Sequence, residues 1–346
     1  MPPQLRRLLS NATMRQRSST TAHQHRIPLI NFNRDASDVI PLVKSSLSDT
    51  GFVYLQNTPI EADHISKVLS ASGSFFIDCD PQIKHSVNAY DTAFRGYYLY
   101  EAGCADDTIE CFSIGREMDD PSVLRQEYFE RQGLPESVWK RYISRTNQWP
   151  NEWDQCTHFK SVLLEYYDLC CRTSMEMLSF IANSLELDGD HFYRFHDLFD
   201  CTLEIKYYPP FSDENPTESR LKEHADQTSV TLLVQDVEGG LQIWDDANQC
   251  WFDGITMGGM DQANILCNTG DFMEMWTNGR YKSTKHRVAA KRKLIFDQKD
   301  SGRISVVFFC FPNHDAKIET ISSCVDAAKG ETVTRTICGD ELPFVF

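Results

Sequence analysis

The chain has 346 residues, 50 acidic against 34 basic side chains and 41% hydrophobic residues, long enough to bury a core without disulfide or metal staples. A formal charge of −16 argues against a nucleic-acid groove, because phosphate contacts need a basic surface. No run of roughly 18 apolar residues is present, so no helical membrane span is expected.

Charge is unevenly spread. Residues 1–34 hold six arginines and no acid, which leaves 28 basic against 50 acidic side chains beyond them, a formal −22. Within the leader 1–26, Leu5, Leu8, Leu9 and Ala12 follow helical spacing with Arg6 and Arg7 turned away. An Arg- and Ser-rich, acid-free, amphipathic leader has the composition of a mitochondrial transit peptide, and a solvated disordered tail has it too. Both readings stay open. The 12 cysteines form no CxxC pair and no zinc spacing, and several lie in apolar runs. They read as buried thiols of an intracellular protein, in the cytoplasm or the mitochondrion.

Elements then follow in order. Ile27–Phe32 is strand-like, Ala36–Asp49 has an amphipathic helix pattern, and Phe52–Leu55 is a second strand after Gly51. Residues 60–77 look helical, 85–120 are mixed, and 155–187 give the longest helical signal. From about 200, five β-type runs appear: Thr202–Tyr208, Ser229–Gln235, Leu241–Trp244, Ile265–Asn268 and Ile304–Phe311. Turn clusters such as Pro209-Pro210 and Gly239-Gly240 separate them. Helices first and closely spaced strands later predict an α+β unit with a mainly β core, an antiparallel sandwich or barrel. The expected division is a leader 1–26, a helical region 27–150, a long helical segment 151–199, a β core 200–318 and a C-terminal segment 319–346.

Among ten histidines, His224 stands apart because Asp226 lies two residues on. In extended backbone these two side chains point the same way, so one nitrogen and one carboxylate oxygen can face one metal. His286 is a candidate third ligand from further along the chain. Two histidines and a carboxylate leave three metal positions open, as a non-haem Fe(II) oxygenase requires. The pattern alone equally fits two surface histidines and an aspartate cap. Arg303 and Ser305 share a strand face at the start of an apolar run, and a buried arginine needs a partner. A carboxylate ligand would satisfy it bidentately, with Ser305 adding a donor and Tyr208 a phenol.

With these residues in view, the chain resembles the isopenicillin N synthase-like branch of the Fe(II)/2-oxoglutarate-dependent dioxygenases. The resemblance rests on Tyr207-Tyr208-Pro209-Pro210, His224-Ala225-Asp226, Asn268-Thr269-Gly270-Asp271, His286-Arg287-Val288, Arg303-Ile304-Ser305 and Phe311-Pro312-Asn313, in that order. Upstream, Gly51-Phe52, Phe75-Phe76, Arg95-Gly96-Tyr97 and Asn147-Gln148-Trp149-Pro150 are similar to the family's N-terminal region. The resemblance implies a double-stranded β-helix (jelly roll) flanked by helices. It implies His224, Asp226 and His286 as iron ligands, and Arg303, Ser305 and Tyr208 around the distal carboxylate of 2-oxoglutarate. The implied cofactors are Fe(II), 2-oxoglutarate and O₂, with ascorbate supportive. The implied reaction hydroxylates, desaturates or cyclises a small molecule while releasing succinate and CO₂.

Two departures stand out. Lys206 occupies a position where many members carry asparagine, so a contact near the cosubstrate is expected to differ, and the stretch 290–302 between His286 and Arg303 reads as a loop insertion near the pocket mouth. Tyr97, Tyr98 and Phe272 are candidate substrate contacts. A monomer is expected, with a small-molecule substrate and neither nucleic acid nor membrane as partner. The alternatives are an iron oxidase of the same fold that does not use 2-oxoglutarate, a non-catalytic jelly-roll binding protein, and a zinc hydrolase, for which no carboxylate base is identified.

Overall fold

The computed structural model describes residues 27–89, 95–101, 108–117, 146–210, 219–254, 264–289, 302–313, 316–325 and the backbone of 334–336. The leader, residues 290–301 of the expected insertion and most of the C-terminal segment lie outside the described residues.

Two sheets face each other. The larger has eight strands. It includes β1 (Leu29–Asn31), β2 (Phe52–Gln56), β3 (Gly96–Glu101), β4 (Thr108–Ile114) and β5 (Thr202–Tyr208). It is completed by β7 (Val230–Gln235), β10 (Ile265–Thr269) and β12 (Arg303–Cys310), in the order β1-β2-β10-β7-β12-β5-β4-β3. The smaller runs β6-β11-β8-β9, from β6 (Ser219–His224), β8 (Leu241–Asp245), β9 (Cys250–Asp253) and β11 (His286–Ala289). From β5 onward the chain crosses repeatedly between the sheets, which is the winding of a double-stranded β-helix. A separate pair, β13 (Lys317–Glu319) and β14 (Thr334–Thr336), follows.

Alternation along each strand decides what lies inside the barrel. On β5, Leu203, Ile205 and Tyr207 point outward into the main core, while Glu204, Lys206 and Tyr208 point inward. The outer face is covered by α1 (Ala36–Asp49), α2 (Ala62–Gly73) and α3 (Cys156–Ser184). Phe159, Val162, Leu163, Tyr166, Cys170, Met177, Leu178 and Ile181 form the buried stripe of α3. Each fully buried side chain of this size contributes about 1.5–3 kcal/mol. A π-helical turn, Ser74–Asp78, ends the α2 segment and seats both Phe75 and Phe76. Phe75 stacks on Phe159 at 4.8 Å and Phe76 on Tyr207 at 5.6 Å, locking helices to sheet. The barrel interior holds two smaller apolar clusters, one around Tyr54, Ile243 and Leu266 and one around Tyr98, Tyr208 and Val288.

The region 27–150 supplies strands beside its helices: β1 and β2, as the sequence pattern indicates, at one edge of the large sheet, and β3 and β4, which the pattern does not show, at the other. The segment 85–120 gives no readable strand signal because both faces of β4 are covered, so polar and apolar residues do not alternate cleanly. β6 (SRLKEH) is also absent from the sequence reading, since only one of its six residues is apolar. No helix among the described residues is long and apolar enough to cross a membrane.

Candidate metal centre and cosubstrate pocket

His224 ends β6 and His286 begins β11, and the two are register partners across the small sheet. Their ring centroids lie 4.3 Å apart. Asp226 is not on the strand with His224, as the extended spacing suggests, but in the loop beyond it. That loop is held from below by α4 (Asp271–Trp276): the Asp271 amide donates to the Asp226 carbonyl at 2.8 Å, and the Phe272 amide to that of Thr228 at 3.2 Å. Gly270 makes this approach possible, because a Cβ there would lie 2.5 Å from the Asp226 carbonyl oxygen.

The three residues each offer one atom within 4.8 Å of the others. Their remaining polar atoms are already engaged. Nδ1 of His224 lies 2.9 Å from the Lys222 carbonyl and Nδ1 of His286 3.2 Å from that of Thr284. A carbonyl only accepts, so each Nδ1 carries the proton and each Nε2 keeps its lone pair for a metal. Asn268 donates to Asp226 Oδ2, which leaves Oδ1 at 3.5 Å from His286 Nε2 and 3.9 Å from His224 Nε2. Phe52 meets the His286 ring edge-on at 5.8 Å. The donor set therefore fits a divalent cation bound by two imidazoles and a carboxylate oxygen.

Electrostatics agree with that fit. Burial, reinforced by the neighbouring His286, pushes His224 down to about 4 and keeps it neutral. Burial also opposes charging Asp226, but His286, His224 and Asn268 outweigh it and hold the carboxyl well below its usual range. For His286, burial works downward, and the Asp226 carboxylate with the Thr284 carbonyl reverses it to a net rise. A proton on His286 and a bound cation thus compete for the same place.

Arg303 and Tyr208 are register partners, as are Ser305 and Lys206. Arg303 is 5% exposed, and three of its donors are spent within the fold. Nε donates to the Gly239 carbonyl, Nη1 to Ser305 Oγ at 3.2 Å and Nη2 to Gln235 Oε1 at 2.9 Å. Tyr208 lies beneath the guanidinium, 4.7 Å from its ring centroid. A guanidinium has five N–H donors, so one remains on each terminal nitrogen, the fork that a carboxylate accepts.

The candidate substrate contacts separate. Tyr98 points into the barrel and donates to Glu204. Tyr97, its neighbour, points the other way, donates to Glu110 at 2.9 Å and packs on Phe75 in the helix-side core. Phe272 also packs into that core. Tyr97 and Phe272 are thus corrected to core residues, Tyr97 because a strand sends successive side chains to opposite faces. Sequence reading gives no role to Asn268, Gln235 or Glu204. Their signal is a polar residue inside a buried apolar strand.

Comparison with known proteins follows the same geometry. Residues 199–312 match the 2OG-Fe(II) oxygenase superfamily, and residues 27–152 match the model "non-haem dioxygenase in morphine synthesis N-terminal". A proline hydroxylase, buaE of Petromyces alliaceus, is 30% identical over 82% of this chain and 84% of its own. The chain belongs to the Fe(II)/2-oxoglutarate-dependent oxygenases. The oxygenase is also 27% identical to the 2-oxoglutarate-dependent dioxygenase htyE of Aspergillus rugulosus, over 86% of this chain and 87% of that one. It superposes on a full-length Neurospora crassa protein, solved with alpha-KG and 5-formyluracil, with a TM-score of 0.72 at 30% identity, covering 90% and 93% of the two chains. The double-stranded β-helix and its isopenicillin N synthase-like placement follow, as does an oxidoreductase that uses Fe(II), 2-oxoglutarate and O₂ on a small molecule.

Proposed function

We propose that His224, Asp226 and His286 hold the iron of this oxygenase, and that Arg303, Ser305 and Tyr208 hold the distal carboxylate of 2-oxoglutarate. One observation carries the reading: each of the three ligands has its second polar atom engaged, so the free atoms converge. When bound, iron with 2-oxoglutarate and O₂ supplies the oxidising equivalent, with succinate and CO₂ as co-products. The chain's own part is to fix two imidazole tautomers, orient one carboxylate oxygen and present a guanidinium fork in a buried interior.

The substrate we propose is a small, ring-bearing metabolite. Support comes from relatives, one named a proline hydroxylase and one solved with thymine. We further propose a monomer that does not bind nucleic acid, supported by the formal −22 of the chain beyond residue 34. Localisation is proposed as cytoplasmic or mitochondrial, and a fluorescent fusion of residues 1–26 distinguishes the two.

The test is anaerobic titration with Fe(II) and 2-oxoglutarate. A weak visible charge-transfer band is expected in the native chain and not in Asp226→Ala. Its absence from the native chain, or its survival in the variant, refutes the ligand assignment. Arg303→Ala should raise the 2-oxoglutarate requirement sharply with iron retained, and an unchanged requirement refutes the anchor.

A further inference from the structure

The inward face of β5 carries two charged side chains that neither the metal nor the cosubstrate assignment uses. Glu204 is 3% and Lys206 7% exposed. Lys206 Nζ donates to Glu204 Oε1 at 2.7 Å, and the Tyr98 hydroxyl donates to the same oxygen. The ammonium lies 5.7 Å from the Tyr100 ring centroid. It therefore leans across β4 toward β3, away from Arg303 on β12. Its backbone pairs with Ser305 of β12, one of the residues assigned to the cosubstrate. The cation thus sits inside the barrel, with the tyrosines of β3 on one side and the cosubstrate residues of β5 and β12 on the other.

An ammonium has three N–H donors. Among the described residues, Lys206 has one hydrogen-bond acceptor, Glu204, and one aromatic face, Tyr100. A buried ion pair contributes little stability unless further hydrogen bonds complete it, and apolar residues of equal volume would often serve as well. Donors kept in a dry barrel interior next to the cosubstrate residues are donors for a ligand. On the reading above, Arg303, Ser305 and Tyr208 would hold one carboxylate of the cosubstrate and the metal of His224, Asp226 and His286 would hold its other end, which leaves Lys206 for a second ligand.

We propose that Lys206, held in place by Glu204 and Tyr98, is the specificity-determining residue for the primary substrate and donates to a carbonyl-type oxygen of a neutral molecule. Neutrality follows from charge balance. An anionic substrate would set two carboxylates against one ammonium and leave one negative charge uncompensated in the interior, which is costly. A neutral carbonyl accepts from the spare donors and leaves the ion pair intact. This inference rests on the iron and 2-oxoglutarate assignment.

The test measures binding without turnover. The full chain is loaded anaerobically with Fe(II) and 2-oxoglutarate, and probes are followed by equilibrium dialysis: thymine and 2-pyrrolidinone as neutral carbonyls, 5-carboxyuracil and pyroglutamate as their carboxylate counterparts. At least one neutral probe should bind more tightly than its counterpart. Lys206→Met should weaken that probe about tenfold, the size of one lost hydrogen bond to a charged group, with 2-oxoglutarate affinity within about twofold of native. Because Lys206→Met strands the Glu204 carboxylate, the double variant Glu204→Gln/Lys206→Met is measured beside it, with thermal melting to confirm folding. A folded double variant that binds the probe as tightly as native overturns the proposal. Loss of 2-oxoglutarate affinity, with or without loss of probe affinity, assigns Lys206 to the cosubstrate or to the scaffold and overturns it too. So does a native protein that binds Fe(II) and 2-oxoglutarate but prefers the carboxylates or takes no neutral probe. A native protein without the charge-transfer band instead sinks the metal reading, and this inference with it.

Discussion

Asn268 donates its side-chain amide to Asp226 Oδ2 at 2.8 Å, so a residue on β10 decides which oxygen of the carboxylate faces the two histidines. The amide is itself buried, and it also helps to keep Asp226 ionised. Without it the carboxylate is free to rotate, and both oxygens become equivalent.

Asn268→Leu should therefore weaken Fe(II) binding about 10- to 100-fold, the usual cost of removing a group that orients a ligand. Anaerobic metal titration checks this. Affinity within about twofold of native would show that the α4 amide contacts alone orient Asp226.

Gly270→Ala tests the backbone support of the same loop. A methyl group there meets the Asp226 and Thr228 carbonyls at 2.5 and 2.6 Å, so the loop must move. A stability loss of about 1–3 kcal/mol is expected from such crowding, together with weaker metal binding. Denaturant midpoints and metal titration report the two effects, and a variant with native iron affinity would show that the loop yields without disturbing Asp226.

Gln235 holds one arm of Arg303 and is in turn held by the Gly254 carbonyl at 3.0 Å. Gln235→Leu leaves the guanidinium under-satisfied and free to swing, at a cost of about 1–3 kcal/mol. The expected outcome is a 2-oxoglutarate KM raised roughly tenfold with iron affinity unchanged, since Gln235 is not in the metal set. An unchanged KM would mean that Ser305 and Gly239 suffice.

A fourth prediction concerns acid stability. His196 is fully buried between the Phe192 carbonyl and Ser229 Oγ, and burial pushes it down from 6.5 to about 4. Its folded pKa lies below the unfolded value, so the unfolded chain takes the proton first. The contribution is present above pH 6.5 and is lost as pH falls, the loss reaching about 3 kcal/mol by pH 4. His196→Gln should flatten that part of the stability profile in urea titrations. An identical slope in the variant would place the acid sensitivity elsewhere.

Much of this was legible in the chain. The helix at Ala36–Asp49 coincides with its sequence pattern because it turns one face to the core, and the strand at Thr202–Tyr208 because apolar Leu203, Ile205 and Tyr207 alternate with polar Glu204 and Lys206, although both its faces are buried. The ordered motifs around His224, Asp226, His286 and Arg303 also identify the chemistry, since residue type and order are properties of the sequence. Which side of a strand faces a cavity is not. Tyr97 and Tyr98 look equivalent as letters, and only the pairing of β3 with β4 sends one to the core and the other to the barrel. The same holds for Glu204 and Lys206, whose meeting with Tyr98 and Tyr100 requires three strands laid side by side. Sequence determined the donor atoms. Tertiary structure decided their orientation, through hydrogen bonds donated by Asn268 and the Asp271 amide and one accepted by Gln235, which join positions far apart along the chain.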